Sequence, residues 1–278
     1  MSDFLGFKGK RVIVSGCFSG MGEAAAKILL DLGAEVHGFD YKDVALPLAS
    51  FNKVDLRDPA SIEAGVKAVG VKIDALLNCA GLPGGGGFPP LDTMKVNFLG
   101  TRHLTDCVIP LMGPGSSIAS IASTGGMGWS RRIPVHMDLL QQQGFAAGLA
   151  WSEKNLDQVA EGYAFSKEAV IVWTQFMGAQ LIKQGIRINC TLPSPTQTPM
   201  MQIFHDTSGK DIVDAAAEPL GRYTTPAEQA GPLVLLCAEP MGVVNGVVFP
   251  VDGGFMGGVV TGQVDLSRMM RAAAEAQG

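Results

Sequence analysis

Charge is scarce in this chain, and basic charge is scarcer than acidic. Only 17% of the 278 residues are Asp, Glu, Lys or Arg, and 21 basic against 26 acidic residues leave a net charge of −5. A protein that grips nucleic-acid backbone needs a basic surface, so that class is set aside. No apolar run approaches the ~18 residues that span a bilayer. The opening MSDFLGFKGK lacks the apolar core of a secretory signal. The five cysteines (Cys17, Cys79, Cys107, Cys190, Cys237) lie far apart with no Cys-x-x-Cys pair, which argues against a metal site or a disulfide framework. They read as small core residues of a protein kept in the reducing cytoplasm. What the chain has in quantity is apolar residues, at 47%, and glycine, at 36 copies. That is the composition of a well-buried α/β protein.

The chain alternates strands with helices. Arg11–Ser15 is a short β-branched run, followed by Gly16-Cys-Phe-Ser-Gly20-Met-Gly22 and a helical stretch to Leu32, with Gly33 as its stop. Strand, glycine turn and helix open a nucleotide-binding unit. Glycines let backbone approach a pyrophosphate, and the helix start offers N–H groups and the positive end of its dipole. A plain connecting turn is the competing reading. The second strand, 34–40, ends in Asp40, where a carboxylate would accept from adenosine ribose hydroxyls and repel a 2′-phosphate. That favours NAD over NADP, with Lys42 two residues on to soften the preference. A turn-capping aspartate is the alternative.

A third strand closes at Val54-Asp55. Pro59–Val69 reads as a helix with Asp58 as N-cap. Residues 73–81 form a fourth strand running into a turn at Asn78. Residues 84–90, GGGGFPP, read as an exposed loop. A long helix over 92–112 carries Asn97, which is either solvated or deliberately placed, because Asn disfavours helix interiors. A fifth strand, 116–122, runs out into Ser123-Thr-Gly-Gly126. The predicted architecture is a parallel sheet with helices on both faces, and such sheets bind ligands beyond their carboxyl ends. Gly16, Asp40, Asn78 and the pair Ser120 and Ser123 all fall there.

Tyr163-Ala-Phe-Ser-Lys167 opens a helix over 163–182 with one apolar side (Phe165, Ala169, Val172, Phe176, Ala179). Tyr163 and Lys167, four apart, share a face. An ammonium beside a phenol favours the phenolate and suits it to proton transfer. An amphipathic helix with a snorkelling lysine is the plain alternative.

With these residues in order, the chain resembles the short-chain dehydrogenase/reductase family over roughly residues 8–255, as one Rossmann-type domain. Ser15-Gly16-x-x-x-Gly20-x-Gly22 matches its glycine pattern, Asn78-Cys79-Ala80-Gly81 its N-N-A-G turn, and Ser120-Ile-Ala-Ser123 its serine strand end. Asn97 stands at the helix asparagine, and Tyr163 with Lys167 forms the Y-x-x-x-K pair. The resemblance implies Tyr163 as the proton donor or acceptor, Lys167 as its modulator and a ribose ligand, Ser120 on the same substrate oxygen, and Asn97 holding a relay water. Ser123 competes for the role of Ser120, and the motif match favours Ser120. The cofactor is expected against Gly16, Ser19, Gly20, Met21, Gly22, Asp40, Asp55, Leu56, Asn78, Ala80, Gly81, Tyr163, Lys167, Pro193, Thr196 and Thr198.

Two departures stand out. An insert over about 127–162 separates the serines from Tyr163. It is similar to the one in bacterial 3α-hydroxysteroid dehydrogenase/carbonyl reductases and implies a bulky apolar alcohol or ketone. A role in subunit contacts is the alternative, since the resemblance implies a tyrosine helix packed against a partner subunit and a homodimer or homotetramer. Second, Pro193 is followed by Ser194 where the family has glycine, which would strain a turn that needs positive φ. Residues 196–222 read either as a substrate loop, with Met200, Met201, Ile203 and Phe204 suited to a greasy ligand, or as ordinary packed helix. The tail, 255–278, is extra, with helical character over 264–276. The function implied is an NAD-dependent secondary-alcohol dehydrogenase. An NADPH-dependent carbonyl reductase, a non-catalytic NAD-binding protein and an epimerase or dehydratase are the alternatives.

Overall fold

The first strand shows why the architecture closes as it does. β1 (Arg11–Ser15) is buried from Val12 onward, so it must lie between other strands with helices above and below. In the computed structural model, which describes residues 3–265, β1 pairs in parallel with β2 (Glu35–Asp40) on one side and β4 (Ala75–Asn78) on the other. β3 (Ser50–Lys53), β5 (Ser117–Ile121), β6 (Arg187–Pro193) and β7 (Val248–Val251) complete a seven-stranded sheet of order β3-β2-β1-β4-β5-β6-β7, every pair parallel. The order reverses between β1 and β4. A crevice opens beyond the carboxyl ends of the strands at such a point.

Each face of the sheet carries one apolar core. α1 (Gly20–Asp31) and α11 (Pro226–Cys237) cover one face, with Ala25, Leu29, Leu233 and Val234 fully buried. α2 (Pro59–Val69), α4 (Thr101–Val108) and α8 (Tyr163–Leu181) cover the other, around Ile62, Leu104 and Trp173. Local signals match their elements. Asp58 caps α2 by accepting from Ala60 N at 3.0 Å. Thr225 and Glu228 form a capping box on α11. Caps of this kind are worth about 1 kcal/mol each.

Three expectations change. The single helix over 92–112 is α3 (Pro90–Met94), then a wide π-type turn over Lys95–Gly100, then α4 and a last tight turn. The turn ends where Gly100 meets the backbone between β3 and α2: a Cβ there would lie 2.2 Å from the Leu56 carbonyl oxygen. Second, α8 is not one-sided. Phe165 through Thr174 is buried without a break, while Phe176 is 38% exposed. The insert explains this. α5 (Ile133–Gln141), α6 (Gly144–Lys154) and α7 (Leu156–Val159) fold back over the start of α8, with Trp151 stacked on Phe165 at 5.9 Å. Third, the 84–90 loop is not wholly exposed, because its start is buried against the tyrosine. α9 (Met201–Ser208) and α10 (Lys210–Ala217) make up the substrate-loop region, and α12 (Phe255–Val260) follows β7. The helix expected over 264–276 lies outside the described residues but for its first two. No helix among the described residues is long and apolar enough to cross a membrane.

Candidate active site

The glycine turn is shaped by backbone contact. Gly16 has φ 72°, and a Cβ on it would lie 2.6 Å from Ala80 Cα. One on Gly22 would lie 2.1 Å from the Gly16 carbonyl oxygen. Only glycine fits either place. Ser15 ties the turn to the β4 end: its Oγ accepts from Cys79 N at 3.2 Å and Ala80 N at 3.4 Å. Ser19 stands at the N-cap of α1 in extended conformation with no side-chain bond to the helix, so the first N–H groups of a twelve-residue helix face the crevice. Met21 follows in the first turn. This cradle suits a pyrophosphate, and the donors are the kind that bind one.

Asp40, buried at the end of β2, accepts from Phe18 N and Lys42 N, both at 3.0 Å. Its carboxylate is thereby fixed at the mouth of the turn. The Lys42 ammonium turns aside onto the rings of Phe18 and Tyr41, 4.9 and 5.4 Å from their centroids. Asp55 is held by Arg57 through Nε at 3.0 Å and Nη2 at 2.7 Å, and that bond draws its carboxyl below the usual range. Leu56 points into the core, which leaves its backbone for any ligand.

Tyr163 begins α8. Its hydroxyl faces that of Ser123; burial raises the tyrosine pKa and Ser123 lowers it. The two side chains also flank one point in space: a Cβ on Gly125 would sit 3.3 Å from Ser123 Oγ and 3.4 Å from Tyr163 Cε1. Ser120, the serine expected here, lies elsewhere. It is inside the sheet, opposite Asn78 and Cys190, and its Oγ accepts from Asn78 Nδ2 at 3.2 Å. The physical reason is strand length. β5 continues through Ile121, and Ala122 still bonds to Thr191, so Ser123 is the first side chain clear of the ladder. The signal that locates it is position beyond the strand rather than the motif's first serine.

Lys167, buried one turn along, donates to the Ile121 carbonyl at 2.8 Å and lies 5.8 Å from the Tyr163 ring centroid. Burial pushes its pKa down to about 8, against the weaker pull of the Cys79 and Cys190 thiols. Those thiols are themselves raised by burial, that of Cys190 to about 12, so they stay protonated. Asn97 is placed, not solvated. It sits in the π-type turn, 2% exposed, with Oδ1 accepting from Leu82 N at 2.7 Å and Nδ2 donating to Leu82 O and Ser166 Oγ at 3.0 and 3.1 Å. Such turns recur at functional sites. With its side chain committed, Asn97 offers a water only its main chain. Gly81 stands between the two: a Cβ there would be 3.4 Å from Asn97 Oδ1 and 3.7 Å from Lys167 Nζ.

At the β6 end, Ser194 does not adopt positive φ, because Ala160 is the one non-glycine that does among the described residues. The glycine of the family pattern is therefore not needed here. The Thr196 side chain, expected at the cofactor, is turned inward to Ser194 O and Thr224 Oγ1, at 2.8 and 3.0 Å. Pro193 ends β6, and Thr198 comes back to the glycine turn, 3.2 Å from a Cβ placed on Gly20. Over the tyrosine, Phe204 of α9 meets the Tyr163 ring edge-on at 5.0 Å. Ile203 and Thr207 rest on Gly86 and Gly85, where a Cβ would come within 2.5 and 2.7 Å. The 84–87 loop and α9 thus form one wall above the hydroxyl pair. Sequence reading did not single out the glycine loop as part of the site.

Two family models match the chain: "short chain dehydrogenase" over residues 10–134 and "Enoyl-(Acyl carrier protein) reductase" over residues 137–256. The coniferyl-alcohol dehydrogenase of Pseudomonas sp. (strain HR199 / DSM 7063) is 35% identical over 246 residues, covering 88% of this chain and 96% of that protein. The 3α-hydroxysteroid dehydrogenase/carbonyl reductase of Comamonas testosteroni is 26% identical over 250 residues, covering 87% and 95%. Among solved structures, the 3α-hydroxysteroid dehydrogenase from Pseudomonas sp. B-0831, complexed with NADH, superposes with a TM-score of 0.78 at 25% identity, covering 90% of this chain and 98% of that one.

Proposed function

We propose a specific activity for this chain, which belongs to the short-chain dehydrogenase/reductase family and is an oxidoreductase of alcohols and ketones. It interconverts a secondary alcohol and its ketone on a bulky apolar substrate of steroid, terpenoid or aryl type, with NAD(H). The observation that carries this reading is the meeting of the Ser123 and Tyr163 hydroxyls one helical turn from the Lys167 ammonium, at the crevice edge of the sheet.

The residues present fit a dinucleotide, because the cradle at Gly16–Gly22 admits no side chain and its helix donors are free. Gly16, Ser19, Gly20, Met21 and Gly22 would hold the pyrophosphate. Asp40 would take the adenosine ribose, and Asp55 and Leu56 the adenine. Asn78, Ala80 and Gly81 would lie along the nicotinamide half, with Lys167 on its ribose and Pro193 and Thr198 at the carboxamide. Bound there, the cofactor supplies the hydride acceptor or donor. The chain's own part is proton handling. Tyr163 takes the alcohol proton in oxidation and returns it in reduction. Ser123 donates to the same oxygen and steadies its developing charge. Lys167 steadies the phenolate, and the Asn97 main chain passes the proton outward through water. Phe204 and the 84–87 loop supply an apolar wall, which suits a ring-bearing substrate, and the names of the relatives point the same way. The protein is taken to work in the cytoplasm as a homodimer or homotetramer.

The preference for NAD is supported by Asp40, a fixed carboxylate where a 2′-phosphate would need a cation, with Lys42 held on two aromatic faces. Asp40→Ser should therefore shift the NAD/NADP ratio of kcat/KM toward NADP by ~10-fold or more. An unchanged ratio would show that Asp40 does not face the ribose. The activity itself is tested by NADH absorbance at alkaline pH, with NAD and then NADP against steroid, monoterpene and aryl secondary alcohols. NADH formation with one class is expected. Silence across the panel, with NAD still binding by titration, would sink the proposal.

A further inference from the structure

The insert does more than lengthen the path from Ser123 to Tyr163. Its two ends are joined by one side chain. The tight turns over Thr124–Arg131 start at Ser123, whose Oγ also accepts from Gly125 N at 2.9 Å, and they end at Arg132. The Arg132 guanidinium then makes three contacts. Nη1 pairs with Glu168 Oε2 at 3.3 Å, on α8 next to Lys167. Nη2 donates to the Gln158 carbonyl in α7. Its plane lies over the Phe165 ring, 4.8 Å from the centroid. These partners bracket the approach to Tyr163.

That approach is a strained turn. Ala160 has φ 51° and ψ −126°, and Gly162 has φ 87°. An alanine held at positive φ costs roughly 1–3 kcal/mol and persists only where its surroundings hold it. Arg132 bonds the carbonyl two residues before it. Glu168 is buried and takes its hydrogen bonds from the insert, with His136 Nε2 at 2.8 Å beside Arg132. Without the guanidinium, its carboxylate would be an undercompensated buried charge. The segment between also lies directly on the helix: a Cβ on Gly126 would be 3.0 Å from both Glu168 N and Lys167 C.

We propose that Arg132 is a positioning residue of this reaction. It ties the segment leaving Ser123, the turn entering Tyr163 and the helix carrying Lys167 into one rigid body, and so fixes how the two hydroxyls converge. The inference rests on the proposed function for its kinetic consequence, not for its structural one.

The test uses the full chain with Arg132→Met and Arg132→Lys. The second keeps a cation beside Glu168 and guards against failure to fold. Expected are kcat losses of ~100-fold and ~10-fold, with the NAD Kd from titration within about twofold of the parent. Ser123→Ala should cost much less in the Arg132→Met background than in the parent, since groups acting through one geometry are not additive. A folded Arg132→Met protein with kcat within twofold of the parent, or full additivity with Ser123→Ala, overturns the proposal. If the parent turns over no alcohol in the panel, the activity assignment fails separately. The same variants are then read by ¹³Cζ-tyrosine NMR titration, for which the chain has only three tyrosines. Burial raises the Tyr163 pKa in the parent. Its titration should move in Arg132→Met, because burial and the Ser123 contact set it in opposite directions, and an unmoved titration overturns the inference.

Discussion

Replacing Tyr163 with phenylalanine should lower kcat by ~10³-fold while the NAD Kd stays within about threefold of the parent. The ring itself packs against Phe204 and the start of the glycine loop, and phenylalanine keeps those contacts. What it loses is the phenolic hydroxyl placed beside both Ser123 and Lys167. The pH dependence should change with it. Burial disfavours the charged phenolate, so the Tyr163 pKa lies above that of a free phenol in the cofactor-free protein. Alcohol oxidation needs the phenolate, and its kcat/KM should climb with pH on the alkaline side. Ketone reduction needs the neutral phenol and should fall there. In Tyr163→Phe the residual oxidation rate should lose that rise. A variant that keeps more than a tenth of its activity, or the same alkaline limb, would remove Tyr163 from the proton's path. Lost NAD binding would instead make the tyrosine a structural support.

How much of this was legible in the sequence follows from which forces are local. Buried parallel strands must be apolar on both faces, so Arg11–Ser15 and Ala75–Asn78 announce themselves. The cap at Asp58 and the capping box at Thr225 are written in neighbouring residues. The glycine turn is legible because Gly16 and Gly22 leave no room for a Cβ, and Tyr163 and Lys167 because helical spacing alone brings them together. What escaped depends on partners distant in the chain. The π-type turn at Asn97 ends on Gly100, packed against the distant Leu56 carbonyl. Thr196 turns inward because Thr224 is there to receive it. The all-round burial of α8 requires the insert to fold back, and only then do Arg132, His136 and Glu168 meet. The position of Ser120 inside the sheet escapes for a finer reason. Two serines three apart both fit the pattern, and the choice turns on where the ladder of β5 stops, a quantity of one or two residues that strand patterning does not resolve.

That choice yields the sharper of the kinetic tests. Ser123→Ala should reduce kcat by ~10²-fold or more, the usual cost of removing one donor from a developing oxyanion. The Ser123 and Tyr163 side chains flank one point beside Gly125 in the free protein, so the serine already lies where a substrate oxygen would bridge the two. Ser120→Ala should leave kcat within about threefold. Its hydroxyl is 1% exposed and faces Asn78 within the sheet, and Asn78 Nδ2 keeps a second partner in Thr105 Oγ1 at 3.1 Å when the serine is removed. The loss there is one neutral buried hydrogen bond, about 1 kcal/mol of stability. It should appear as a lowered Tm with the rate preserved, whereas Ser123→Ala should show the large rate loss, with a Tm change no greater than loss of its cap on Gly125 N accounts for. Steady-state kinetics and thermal melts on the same two preparations separate the cases. If Ser120→Ala proved the slower enzyme, the substrate oxygen would have to approach from within the sheet, and both the placement of Tyr163 and the wall built by Phe204 would need another explanation.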